Sequence, residues 1–66
     1  MRIQVNGEER EAPEGLSVTG LLADLELDAA GIAVAVNMEI VRRAEYAEAK
    51  LSEGDEVEIV RAVGGG

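Results

Sequence analysis

Sixty-six residues without a single cysteine or histidine give this chain no disulfide and no Cys/His metal site to hold it together. At that length, burial of apolar surface only just offsets chain entropy, so the fold has to come from an unstapled hydrophobic core. Phe and Trp are absent too, and Tyr46 is the one aromatic, so Val, Leu, Ile and Ala must build that core. A hydrophobic content of 47% suffices for one small packed globule, too small to house a large active site. The same absences remove thiol nucleophiles and the usual general base at neutral pH. Little conventional catalytic chemistry is left.

The order of elements is readable from local patterns. Ile3 and Val5 alternate with Arg2 and Gln4, and Asn6-Gly7 supplies the pair best suited to a tight hairpin turn. The return strand, Glu8 to Ala12, is strongly charged and ends at Pro13, as suits a sheet edge. Glu14-Gly15 turns the chain, and Ser17 caps a helix whose Val18, Leu21, Leu22 and Leu25 form one apolar stripe, closed by Leu27. Gly20 within it reads as a point of close helix-to-sheet approach. Ile32-Ala33-Val34-Ala35-Val36-Asn37 is apolar on both faces and reads as an interior strand. Met38-Glu39 is expected to turn the chain, Ile40-Val41-Arg42 to form a short strand, and Ala44 to Ala49 an irregular or briefly helical crossover. After the polar turn Ser52-Glu53-Gly54-Asp55, a final strand begins at Glu56, with Val57 and Ile59 facing the core and Val60 and Ala62 on the opposite face.

Three glycines, Gly64, Gly65 and Gly66, stand directly behind that strand. At an average glycine usage of about 7%, such a run arises by chance roughly once in 3,000 chains, so composition does not explain it. Without Cβ atoms the run is expected to extend as a thin tail, reaching about 10 Å beyond the fold. A tail of that kind can thread its carboxylate into a narrow channel on another protein, with no side chain shielding the carbonyl carbon. Gly66 is therefore the candidate reactive group, with a domain over 1–63 and a tail over 64–66.

Charge narrows the partners. Fourteen acidic against six basic residues give a net charge of -8, which repels nucleic acid phosphates and anionic lipid and favours encounter with a basic protein surface. No apolar stretch approaches the roughly 20 residues that span a bilayer. The opening Met1-Arg2-Ile3-Gln4-Val5 is a strand and not a signal peptide. The expectation is a cytoplasmic protein that binds proteins, with no nucleic acid and no membrane. Glu8, Glu9 and Glu11 do not converge on one point along a strand, so a solvated edge accounts for them better than a cation site.

In this order and spacing the residues resemble a family, the ThiS sulfur carriers of bacterial thiazole biosynthesis. The features that carry the resemblance are the Asn6-Gly7 turn, the Ser17-Val18 helix start with Leu21-Leu22, Ala33-Val34-Ala35-Val36-Asn37, Ile40-Val41 with Arg43, Gly54-Asp55, Val57-Glu58-Ile59 and Gly65-Gly66. Arg42 and Tyr46 stand where the family commonly has proline and tryptophan. The resemblance implies an α+β fold of the β-grasp, ubiquitin-like type, a mixed sheet of four to five strands around one main helix, with the first and last strands parallel neighbours at its centre. It also implies a carrier and not an enzyme. A ThiF-like, E1-like adenylyltransferase would use ATP to adenylate Gly66, and a cysteine desulfurase or other donor would supply sulfur. The resulting thiocarboxylate would pass to a ThiG-like thiazole synthase, with no cofactor bound by the carrier. On that reading Gly64 and Gly65 are spacers for a tight channel, and Val60, Ala62 and Val63 form a docking patch beside it. Arg42, Arg43 and Arg61 are better read as solvated or locally paired than as steering groups.

Other readings of the same residues stay open at this point. A carrier for molybdopterin synthesis or tRNA thiolation would have the same tail, and a ubiquitin-like modifier would join Gly66 to lysines. A passive β-grasp binding module would make the glycines incidental.

Overall fold

The computed structural model describes residues 1–61. Its order is β1 (Arg2–Val5), β2 (Glu8–Glu11), α1 (Val18–Asp24), β3 (Ile32–Val36), β4 (Glu39–Val41), a 3-10 turn (Arg43–Glu45) and β5 (Glu56–Arg61). The five strands make one mixed sheet in the order β2-β1-β5-β3-β4. β5 lies in the middle, parallel to β1 and antiparallel to β3. One helix packs across one face of that sheet, which is the β-grasp architecture.

Each element follows from its residues. Asn6 and Gly7 both hold positive φ, 52° and 84°, so the chain reverses in two residues and Val5 pairs with Glu8. Charged β2 stands at the edge, where Arg2 reaches Glu11 at 3.2 Å and Glu9 at 3.4 Å. The Glu11 hydrogen bond first, then the Glu9 charge, hold the Arg2 guanidinium above its ordinary pKa. All three side chains are open to water, so this cluster contributes little to stability. Ser17 caps α1 by accepting the Gly20 N–H at 3.0 Å. Val18, Leu21 and Leu22 then point inward, onto Ile3, Val34 and Val57, and all six are buried. Tyr46 and Leu51 close the core from the crossover, with Tyr46 only 4% exposed in a place the resemblance gave to tryptophan.

Several boundaries differ from expectation, each for a local reason. The helix ends at Asp24 and not at Leu27. Glu26 takes φ 60°, its N–H bonds Ala23 O, and the Leu27 N–H bonds Leu22 O at 2.8 Å, a Schellman closure that stops the helix three residues earlier. The β3–β4 turn is Asn37-Met38, not Met38-Glu39, because Val36 pairs with Glu39 and leaves two residues for the loop. β2 stops at Glu11, and Ala12 is instead buried and bonded to Met1 at the end of the hairpin. Gly20 does not mark close approach to the sheet: a Cβ there would meet Leu16 Cδ1 at 2.7 Å. The proposed boundary at 63/64 lies outside the described residues, as do Ala62, Val63, Gly64, Gly65 and Gly66.

Candidate functional site

The reactive group is expected behind β5, so the site is built from whatever holds that strand. β5 is clamped along its β3 side by pairs from Val36↔Val57 to Ile32↔Arg61. On its β1 side the ladder consists of Gln4↔Glu56 and Val5↔Val57. Two asparagines, one from each hairpin turn, complete the hold. Asn37 Oδ1 accepts the Glu56 N–H at 3.0 Å while its Nδ2 donates to Asp55 Oδ1 at 3.0 Å. Asn6 donates its backbone N–H to Val57 O at 2.8 Å, and its Oδ1 accepts the Ile59 N–H at 2.8 Å. The sequence reading used Asn6 and Asn37 only as turn and strand-end residues. Their second role depends on β5, 53 positions from Asn6 in the case of Ile59, and no local pattern signals it.

Val60 lies on the face of the sheet away from α1, as expected, and is 60% exposed. Its register partner Ala33 and the neighbouring pair Ala35↔Ile40 lie on the same face, with Ile40 74% exposed. These four make an apolar strip that the reading had only partly assembled, since it grouped Val60 with Ala62 and Val63. Glu56 and Glu58 lie on that face too, earlier along β5, where Gln4↔Glu56 and Ala35↔Glu58 pair. Arg42, Arg43 and Arg61 are exposed, and none has a carboxylate within 4.0 Å among the described residues. Among those residues, too, no group of three or more His, Cys, Asp or Glu is gathered as a metal would need. No helix in them is long and apolar enough to cross a membrane.

Fold and site together define a β-grasp domain whose central strand is followed, in sequence, by a glycine run. The chain belongs to the ThiS family, whose model matches residues 3–66. It is 32% identical to the sulfur carrier protein ThiS of Escherichia coli, over the whole of both chains. It is also 41% identical to a thiazole synthase of Paramagnetospirillum magneticum, where all 66 residues align with 20% of that protein's length. The chain thus spans about a fifth of the thiazole synthases it matches. Among solved structures, the crystal structure of the thiamine biosynthesis protein ThiS from Geobacter metallireducens superposes with a TM-score of 0.88 at 33% identity, covering both chains completely.

Proposed function

We propose that this protein is a sulfur carrier for the thiazole ring of thiamine, with the sulfur held as a thiocarboxylate on Gly66. The observation that carries the reading is the end-to-end match to the Escherichia coli sulfur carrier, glycine terminus included. A carboxylate is a poor electrophile, so an ATP-using, ThiF-like adenylyltransferase first joins AMP to Gly66 and releases pyrophosphate. The terminal sulfur of a persulfide, held by a cysteine desulfurase or similar donor, then attacks the carbonyl carbon and AMP leaves. A thiol cleaves the resulting acyl disulfide, taking the donor sulfur into a new disulfide and leaving the thiocarboxylate. A thiazole synthase consumes that sulfur and returns the carboxylate, so the carrier acts as a cosubstrate in the cytoplasm and binds no cofactor of its own.

The residues suit these steps. With no cysteine in the chain, no internal thiol competes for the activated acyl group. Gly64 and Gly65 offer no side chain to obstruct a channel that closes around the acyl adenylate. The strip of Val60, Ala33, Ala35 and Ile40, flanked by Glu56 and Glu58, supports docking of an apolar partner surface with a basic margin, a patch to which the sequence adds Ala62 and Val63. The thiazole synthases of which a domain like this one matches a fifth support that enzyme as the consumer.

Intact-mass measurement tests the reading. Incubation with ATP, the adenylyltransferase and a sulfur source should add the mass of one oxygen replaced by sulfur, located on Gly66. Removing Gly65 and Gly66 should abolish the gain while the chain still folds, since the core closes without them. An unchanged mass with competent partners would return the domain to the passive binding class.

A further inference from the structure

We infer that Asn6 is a positioning residue for the chemistry at Gly66: on the edge that β1 leaves open, its side chain, together with the β3 ladder on the other edge, holds the strand that precedes the glycine run. The inference rests on the carrier reading above. β1 stops pairing at Val5↔Val57 and turns away into its hairpin, while β5 runs on to Arg61 with β3 along its other edge. On the β1 side of that overhang, the hydrogen bond found among the described residues is Ile59 N–H to Asn6 Oδ1, at 2.8 Å. The side-chain oxygen occupies the place of the carbonyl that the next residue of β1 would have offered. Ile59 stands seven positions before Gly66, and from Ile59 to Arg61 β3 holds the other edge of the strand. Acyl transfer is sensitive to how the reacting groups are placed, so a looser β5 edge should cost productive placement of the segment that follows it.

The turn itself does not require this side chain. At φ 52° glycine would serve as well, and aspartate tolerates the same conformation. That separates the two roles of Asn6 experimentally. Asn37 is the matched control, because it has the same φ of 52° and the same side-chain bond to a β5 N–H, but to Glu56, at the start of the strand, where β1 pairs through Gln4.

The test uses the full chain as Asn6→Gly, Asn6→Asp and Asn37→Gly. The rate of thiocarboxylate formation is followed by intact mass against carrier concentration, and amide exchange is measured at Ile59. Asn6→Gly should lower kcat/KM about fivefold, the scale set by one hydrogen bond, and speed exchange at Ile59. Asn6→Asp, which keeps the acceptor, should retain the wild-type rate. Asn37→Gly should lose stability to a similar degree and keep kcat/KM. Wild-type modification of Asn6→Gly, or an equal loss in Asn37→Gly, would reduce Asn6 to a stability residue and leave the carrier reading standing. A wild-type chain that competent partners leave unmodified overturns the carrier reading, and this inference falls with it.

Discussion

Among the described residues, Asn6, Glu26, Asn37 and Met38 hold positive φ without being glycine, and they divide into two kinds. Asparagine visits the left-handed region readily, and here both asparagines return hydrogen bonds to β5 from that conformation. Glu26 at φ 60° and Met38 at φ 70° gain nothing comparable, and Met38 is 91% exposed. Each is held there by its surroundings, Glu26 by the Schellman closure and Met38 by the Val36↔Glu39 register. Glu26→Gly and Met38→Gly should each stabilise the domain by about 0.5–1 kcal/mol, the left-handed penalty less the entropy glycine loses on folding. Urea titration with an unchanged m-value would read it out. A loss of stability in both variants would mean that their side chains make contacts outweighing the strain.

At the scale of elements, legibility followed the range of the cause. The first hairpin, the Ser17 cap and the stripe of Val18, Leu21 and Leu22 depend on neighbours a few residues apart, so period and turn chemistry exposed them. The apolar run Ile32–Val36 announced an interior strand for the same reason. The β3–β4 turn was misplaced by one residue because Met38 is a poor left-handed residue, and pairing with β3 overrode its local preference. The site expected at Gly64 to Gly66 lies outside the described residues, and the contacts that hold the strand before it were unreadable in sequence. Asn6 and Ile59 meet only through the parallel β1–β5 pairing. The same division of range separates folding from docking. Leu21 is fully buried between helix and sheet, so Leu21→Ala should cost about 3 kcal/mol, a large part of what so small a domain has. Ile40 is 74% exposed, and Ile40→Ala should change stability by less than about 0.5 kcal/mol while weakening capture by the proposed adenylyltransferase partner. Denaturant midpoints and carrier-concentration dependence of adenylation, measured on both variants, separate the two effects. Unaltered adenylation by Ile40→Ala would remove Ile40 from the docking strip.

For the molecule as a whole, charge sets the remaining behaviour. A net charge of -8 is confined to a body with a radius of gyration of 11.2 Å. The described ion pairs are Arg2 with Glu9 and Glu11 and Arg10 with Asp24, all with side chains more than a third open to solvent, and they offset little of that repulsion. At about 0.01 M ionic strength the screening length is about 30 Å, comparable with the 36 × 22 × 22 Å extents of the domain, so carboxylates across it feel one another; at about 1 M it is about 3 Å. Added sodium chloride should therefore raise the urea midpoint of the isolated chain while slowing its association with a basic partner surface by tenfold or more between low and high salt. The two trends have opposite signs and one cause. Stopped-flow association with the adenylyltransferase, run beside urea titrations across the same salt series, checks them together. An association rate indifferent to salt would mean that the acidic surface does not face the partner, and the strip around Val60 and Ile40 would have to dock through apolar contact alone.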